Sequence, residues 1–291
     1  MFEMIPRLLE EKGFNVHAVE VLADGVPVLH RAFHGERRFP VYSITKSVTS
    51  SAFSLARDDG LVLPEMPLAQ FLERRYRDEM PAGFAEMPFS RFLTMTAGKY
   101  PFRPEGGDWI SGILSLGTDY SDTAYHYSNI PAYLVGAAVE NAVGGGLAEF
   151  LHRRLFDPLG IPSPGFLTSP EGHFYGATGM ELTVHELALL GELYLRRGEW
   201  HGERLISEAS LNDAVTAHVS FGGEGSAVTA GAGFGYFFRV YNDRFEMGGK
   251  WGQRCCVYPE RGIVAAWLAD EPERSEELLQ TMCRAISDEL R

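Results

Sequence analysis

The sequence is short of cysteine and contains no long hydrophobic run. Its three cysteines, Cys255, Cys256 and Cys283, are too few for a disulfide framework, and we expect small buried thiols in a reducing compartment. No window approaches the roughly 18 uninterrupted apolar residues that a membrane-spanning helix needs. Residues 1–14 lack the basic start, apolar core and cleavage site of a signal peptide. The sequence therefore predicts a soluble, cytoplasmic protein.

Positive charge is also scarce. The 39 acidic residues outnumber the 26 lysines and arginines, the formal net charge is -13, and the acidic residues are spread along the chain. A surface of this charge repels phosphate backbones and anionic lipid. We therefore expect neither nucleic acid nor a membrane as a partner, and the sequence leaves the oligomeric state open.

Lysine is the rarer of the two basic residue types. Lys12, Lys46, Lys99 and Lys250 are its four occurrences, so arginine supplies the other 22 of the 26 basic residues. Because arginine meets the general need for positive charge here, a retained lysine suggests a position that needs a titratable amine. Two of the four, Lys46 and Lys250, fall within the motifs described below.

The chain has strand-like patterns at both ends and helical patterns between them. Residues 15–22 and 26–33 predict a hairpin, and later strands are predicted over 236–241, 244–247, 253–258 and 262–268, before a closing helix at about 271–290. We predict an α+β fold in one domain, 1–291. Its antiparallel sheet, about 1–60 and 216–291, is flanked by the N- and C-terminal helices, and a mostly helical second lobe covers about 61–215. A site is expected in the cleft between the lobes.

The segment Ser43-Ile-Thr-Lys46 lies where an extended stretch gives way to a helix. Residues three apart share one side of a helix, and an N–H at a helix start can bind a developing oxyanion. Lys46 can take the Ser43 proton only when its amine is neutral, which requires desolvation or a neighbouring cation. The alternative is a helix cap followed by a solvated lysine, since Ser-x-x-Lys also arises by chance.

Two further tripeptides complete an ordered set. Tyr127-Ser-Asn129 precedes a helix. The tyrosine hydroxyl suits a phenolate or a proton shuttle and the amide suits an orienting group, although a core tyrosine and a helix-capping asparagine are the alternative. In Lys250-Trp251-Gly252, the glycine lets a substrate lie along a strand. The N–H of the next residue, Gln253, would then be a second oxyanion donor.

The motifs do not indicate a metal site or a phosphate-binding loop. The nine histidines show no ligand spacing, because His185-Glu186 is not followed by a histidine four residues after the first. A phosphate-binding loop is also missing, since Gly249-Lys250 continues with Trp251. We therefore expect neither a metal nor a cofactor.

Taken in order, Ser-x-x-Lys, Tyr-x-Asn and Lys-x-Gly resemble the motifs of the serine β-lactamase and penicillin-binding-protein superfamily. The tyrosine of the second motif is closer to the class C branch, which includes D,D-peptidases, esterases and amide hydrolases. The segments 92–98 and 252–259 are similar to further parts of that family, and the likeness extends from about 26 to 268. The resemblance implies a β-lactamase-like fold, an acylated Ser43 activated by Lys46 and Tyr127, and a substrate positioned by Asn129 and Lys250.

One departure from the family pattern bears on the substrate. Trp251 stands where the family usually carries a threonine or serine whose hydroxyl binds the substrate carboxylate. If the indole projects into the cleft, it occupies volume that a fused bicyclic ring needs. The sequence therefore predicts a hydrolase of a small-molecule ester or amide rather than an efficient β-lactamase. A non-catalytic penicillin-binding-like receptor and an acyltransferase to a small alcohol are the alternatives.

Overall fold

The computed structural model describes residues 2–221 and 232–289. Its strands are β1 Val16–Ala23, β2 Val26–Ala32, β3 Phe39–Pro40, β4 Glu181–Leu182, β5 Glu199–Trp200, β6 Glu203–Arg204, β7 Val219–Ser220, β8 Gly233–Phe234, β9 Arg239–Val240, β10 Phe245–Gly248, β11 Arg254–Tyr258 and β12 Ile263–Ala269. Its helices are α1 Met4–Glu11, α2 Ile44–Asp58, α3 Ala82–Ala85, α4 Phe89–Leu93, α5 Trp109–Leu114, α6 Ile130–Ala142, α7 Leu147–Leu151, α8 Asp157–Leu159, α9 Val184–Leu195, α10 Glu208–Ala214 and α11 Ser275–Glu289.

Strands from the two ends of the chain join in one sheet. The order is β2-β1-β12-β11-β10-β9-β8-β7, and the described pairs are antiparallel. The N-terminal hairpin joins the C-terminal strands through β1 and β12, where Val19 lies opposite Trp267. The predicted α+β fold is confirmed, including the antiparallel sheet and the helices beside it.

The two faces of the sheet bury different helices. On one face, Leu278, Met282 and Ile286 of α11 pack with Ile5 and Leu9 of α1. On the other face, α9 lies against β11 and β12, and the remaining helices build a larger core beyond it. Because successive side chains of a strand point to opposite faces, the adjacent cysteines of β11 separate, one into each core. All three cysteines are free and buried.

Helix α2 is buried on nearly all sides even though it is rich in serine and threonine. Two of its hydroxyls reach backbone carbonyls of the surrounding segments: Thr49 donates to Gly176 O at 2.7 Å and Ser47 to Phe237 O at 3.1 Å. Such pairing offsets the cost of burying polar groups, and small side chains let neighbouring segments approach closely. Gly176 itself has φ +67°, and a Cβ there would lie 2.9 Å from a carbonyl of α6. These contacts hold the first half of α2 against the neighbouring segments.

Some sequence expectations differ from the structure. The strand expected over 236–241 is reduced to β9, and the segment Lys250–Gly252 is a 3₁₀ turn rather than part of a strand. The closing helix begins at Ser275, and Leu290 of its predicted end lies outside the described residues. The predicted division into lobes at about residues 60 and 215 stays a prediction.

Among the described residues, no single helix is long and apolar enough to cross a membrane. By length and composition alone, the bent pair Ile130–Ala142 and Leu147–Leu159 passes that test, with an angle of 83° between its parts.

Candidate active site

A cavity of about 1050 Å³ opens beside the first turn of α2. Its described lining comes from the start of α2, the start of α6, the loop before α5 and the strands at the middle of the sheet, namely residues 42, 43, 46, 101–106, 109, 127, 129, 175, 178, 234, 237, 239, 246, 248–250 and 254. The cavity therefore lies where the sheet meets the helices.

Ser43 is the residue that precedes α2, and its side chain does not cap the helix. Tyr42, immediately before it, has φ 48°, a conformation that is costly for a residue with a Cβ and that clusters at functional sites. Helix geometry then brings the Lys46 amine back to the serine, with Nζ 3.1 Å from Ser43 Oγ. The alternative of a helix cap with a solvated lysine therefore does not fit the structure.

Lys46 is enclosed, with 1% of the residue exposed. Besides Ser43 Oγ, Nζ contacts Asn129 Oδ1 at 2.7 Å and the carbonyl oxygen of Ala177 at 2.9 Å. No carboxylate among the described residues forms an ion pair with it, and burial lowers the pKa of Lys46 from 10.5 to about 7. The amine is therefore close to half neutral at neutral pH.

The three contacts of Lys46 suit a neutral amine, which has two N–H donors and one lone pair. Asn129 Oδ1 and Ala177 O can only accept hydrogen bonds, so they take the two N–H groups. In the neutral form the lone pair is left for the Ser43 hydroxyl, which can then donate to it, whereas the ammonium form donates to Ser43 Oγ. Backbone pairing of β3 with β4, and of Val41 N with Met180 O at 3.0 Å, holds the Ala177 segment against the start of α2.

Asn129 is itself oriented from the other side. Its Nδ2 donates to Tyr175 Oη at 3.0 Å, and the Tyr175 ring packs edge-on to Trp109 at 4.9 Å between centroids. Asn129 directly precedes α6 but makes no capping hydrogen bond with its side chain, so the capping alternative does not hold. The amide is thus free to link Lys46 to the aromatic wall of the cavity.

Tyr127 stands over the same amine. Lys46 Nζ lies 5.0 Å from the centroid of its ring. Although 38% of the residue is exposed, loss of hydration raises the pKa of the Tyr127 hydroxyl, and its hydrogen bond with Ser43 and the charges of Arg239 and Arg254 only partly oppose the rise. The phenol is protonated at neutral pH, so Lys46 is the better proton acceptor of the two.

The third predicted motif, Lys250-Trp251-Gly252, does not line the cavity as a unit. Lys250 lines the rim of the cavity, is exposed, and rests its Nζ 4.1 Å from the centroid of the Trp251 ring. Trp251, Gly252 and Gln253 do not line the cavity among the described residues. Trp251 has φ 63° and packs edge-on to Tyr42 at 5.2 Å, so its indole does not project into the cleft.

Gly252 and Gln253 instead make packing contacts and hydrogen bonds within the fold. A Cβ on Gly252 would lie 3.2 Å from the Leu278 side chain of α11. The Gln253 amide bridges to β12, accepting from Ala269 N at 3.0 Å and donating to Ala269 O at 2.5 Å. Its own carbonyl accepts from Gly249 N at 2.9 Å. The oxyanion role assigned to the Gln253 N–H stays a prediction that the cavity lining does not support.

The end of β10 occupies the place expected for the third motif. Glu246, Gly248 and Gly249 line the cavity, and a Cβ on Gly249 would lie 2.3 Å from Val41 O, just before Ser43. Only glycine permits this approach of β10 to the nucleophile segment. Sequence reasoning ended the strand at 247 and missed these positions; the Gly248-Gly249 pair that follows was the available signal.

Three arginines of the lining were also missed, namely Arg103, Arg239 and Arg254. Nothing in their sequence neighbourhood distinguishes them from the other arginines, since strand pairing alone brings β9 and β11 together across β10. Among the aromatic residues, Trp109 and Phe234 line the cavity and Trp200 does not.

Residues 2–281 match the family model described as Beta-lactamase. With the sheet, its flanking helices and this match, the chain belongs to the β-lactamase family, whose members are serine hydrolases of the β-lactamase and penicillin-binding type. The resemblance inferred from the motifs is thereby confirmed.

Solved structures show the same fold. A penicillin-binding protein homologue from Caulobacter crescentus has a TM-score of 0.74 at 16% identity, covering 98% of this chain and 97% of that one. An octameric penicillin-binding protein homologue from Pyrococcus abyssi has a TM-score of 0.72 at 17% identity, covering 98% of this chain and 76% of that one. A candidate 6-aminohexanoate-dimer hydrolase from Bacillus anthracis has a TM-score of 0.78 at 17% identity, covering 98% of this chain and 81% of that one. No curated protein matches the sequence.

Proposed function

We propose that the protein cleaves a small-molecule ester or amide through an acyl-Ser43 intermediate. One observation carries the proposal: a buried lysine, whose pKa burial lowers to about 7, lies with its Nζ 3.1 Å from Ser43 Oγ inside a cavity large enough for a substrate. A serine hydroxyl is a weak nucleophile until a neighbouring base removes its proton. Lys46 supplies that base without a histidine.

Acylation then proceeds in two stages, attack on the carbonyl carbon and loss of the leaving group. Neutral Lys46 takes the Ser43 proton while Oγ attacks the substrate carbonyl carbon, and the carbonyl oxygen becomes an oxyanion. The Ser43 N–H, at the head of α2, is a donor that the helix itself does not use. When the oxyanion collapses, the leaving alcohol or amine takes the proton held by Lys46, relayed through Tyr127. Water repeats the sequence on the acyl carbon and restores the Ser43 hydroxyl.

The reason to expect an ester or amide substrate rather than a β-lactam is the composition of the end of β10, and not the Trp251 ring. β10 ends at Gly248 and is followed by Gly249, and Met247 is 1% exposed, so no hydroxyl side chain stands beside the cavity at this point. The lysine and hydroxyl pair that the family resemblance assigns to a β-lactam carboxylate is therefore incomplete. A bond to a charged group of this kind contributes about 1.5–3 kcal/mol, and its loss weakens β-lactam turnover accordingly.

The proposal is tested by a substrate panel. Purified protein is offered 4-nitrophenyl esters of graded chain length, D-amino-acid amides and nitrocefin, with Ser43→Ala as the control. We expect hydrolysis of short aryl esters, little or no turnover of nitrocefin, and no activity in the control. More efficient hydrolysis of nitrocefin than of any ester would contradict the substrate assignment. Acylation without turnover of any compound would favour the receptor.

A further inference from the structure

A polar cluster lies within the apolar core between the sheet and helix α11. Glu246 of β10 and Cys256 of β11 are directly opposite one another in their antiparallel pair, so their side chains share one face of the sheet. Cys283 of α11 packs in the same core as Cys256. All three residues are buried. A carboxylate and two thiols therefore meet where α11 covers the strands.

The geometry of the cluster suits a metal ion. One carboxylate oxygen of Glu246 and the Sγ atoms of Cys256 and Cys283 all lie within 4.8 Å of one another. In a tetrahedral zinc site, Zn–S bonds of about 2.3 Å and Zn–O bonds of about 2.1 Å place two ligand atoms about 3.5–3.8 Å apart. The three groups would close on one ion by shifts of about 1 Å or less, which rotation of the side chains can supply.

Buried polar atoms in and beside the cluster lack partners. Among the described residues, Glu246 Oε2 has no hydrogen bond, and its contact with Arg254 Nε at 3.8 Å is too long to be one. The Tyr258 hydroxyl, on the same face of β11 as Cys256, is also buried without a partner. Such groups in native proteins are nearly always hydrogen-bonded, or they mark the place of a bound water or ion. A cation between Glu246 and the thiols would give Oε2 its partner.

Arg244 supports this use of the carboxylate. Its Nε and Nη2 each lie 2.9 Å from Glu246 Oε1, so they orient the carboxylate and leave Oε2 for a metal. A divalent ion with two thiolates and one carboxylate carries a net charge of -1, which the buried Arg244 guanidinium balances. Asp243, the other carboxylate in contact with Arg244, has 57% of its side chain exposed and lies outside the cluster.

We infer that Glu246, Cys256 and Cys283 form a structural zinc site that joins α11 to β10 and β11. Thiolate ligands select zinc over calcium and magnesium, which prefer ligand sets made only of oxygen. Binding displaces two thiol protons, one from each cysteine. Motif spacing did not indicate this site because its ligands come from three separate elements.

The zinc site goes beyond the proposed hydrolase and does not rest on it. Glu246 also lines the active-site cavity, so the metal would fix one wall of that cavity through a residue the acylation steps do not use. Its test therefore measures metal content, spectra and stability, and none of these readouts depends on hydrolysis.

Reduced protein is loaded with Zn²⁺ both in the native state and during refolding, freed of excess metal by gel filtration and analysed by mass spectrometry of the metal. Wild type should retain about one zinc per chain, and Cys256→Ser and Cys283→Ser should each retain less than about 0.2. Cys255→Ser is the matched control, because Cys255 is equally buried but points into the opposite core. It should keep the zinc of wild type.

Two measurements on wild type keep the test decisive even where a variant fails to fold. Co²⁺ in place of zinc should give a thiolate-to-metal charge-transfer band in the near ultraviolet, and free zinc at about 100 times its Kd should raise the unfolding midpoint by about 5–10 °C. Wild type that retains less than about 0.2 zinc per chain by either route would overturn the site. Equal loss of zinc in Cys255→Ser, or a Cys256–Cys283 disulfide that forms in protein holding no zinc, would overturn it as well.

Discussion

Lys46 gives Ser43 acylation a pH dependence that distinguishes a buried, neutral base from an ordinary lysine. Reaction of Ser43 with a fluorophosphonate probe requires proton removal, so its second-order rate constant follows the neutral fraction of the base. With the pKa of Lys46 at about 7, that fraction is about 9% at pH 6 and about 91% at pH 8. The rate constant should therefore rise about 10-fold between these values and level off above pH 8.

An unshifted lysine gives a different curve. At a pKa of 10.5, the neutral fraction would rise about 100-fold between pH 6 and pH 8 and continue rising beyond pH 9. Tyr127 does not titrate in this window, because burial raises the pKa of its hydroxyl above the ordinary value of 10.0. The plateau therefore reports on Lys46 alone.

Variants show which group produces the curve. Lys46→Arg keeps the cation but has no neutral form near pH 7, so labelling should fall by about 100-fold or more and lose its midpoint. Tyr127→Phe should lower the rate yet keep the midpoint near pH 7. A wild-type rate that climbs without a plateau to pH 9.5, or a midpoint that persists in Lys46→Arg, would refute the assignment of Lys46 as the base.

The same shift has a consequence for stability. The folded pKa of Lys46 lies below its unfolded value of 10.5, so the unfolded chain binds more protons between the two values, and Lys46 makes unfolding more costly as pH rises from about 7 towards 10.5. Urea unfolding of wild type and Lys46→Met should show this slope in wild type only. Two contacts of the site give further expectations. Gly249→Ala, whose methyl group would meet Val41 O, should destabilise by about 1–3 kcal/mol and reduce labelling, whereas Gly165→Ala, with open space around it, should change stability by less than about 0.5 kcal/mol. Tyr175→Phe removes the acceptor of the Asn129 amide and should slow labelling about 3- to 10-fold without moving the pH midpoint, since that hydrogen bond contributes about 0.5–1.5 kcal/mol and burial of Lys46 is unchanged.

The fold and the Ser43–Lys46 part of the site could be predicted from the sequence because both depend on local patterns. Alternation and turn residues predicted the terminal hairpin and the late strands, and a three-residue spacing at a helix start was enough to bring Ser43 and Lys46 together. Local patterns also predicted the position of Tyr127 and Asn129 just before α6.

The second half of the site depends on contacts between distant segments. Lys250-Trp-Gly reads as a strand motif, but the positive φ of Trp251 and Gly252 turns the chain there, and no composition rule requires a tryptophan to adopt it. The enclosure of Lys46 by Ala177 O is a contact across 131 residues. Arg239 and Arg254 both line the cavity because strand pairing places β9 and β11 on either side of β10, and not because of their spacing in the sequence. Short motifs therefore located Ser43 and Lys46 but not the sheet residues that line the cavity.

The central claim, that Ser43 is the acylated nucleophile, is tested most directly by locating the covalent adduct. Wild-type protein and Ser43→Ala are incubated with a fluorophosphonate probe at pH 8, and the modified peptide is identified by mass spectrometry. The account predicts one adduct, on the peptide containing Ser43, absent from Ser43→Ala and about 100-fold slower to form in Lys46→Arg. An adduct on another serine, or undiminished labelling of Ser43→Ala, would contradict it.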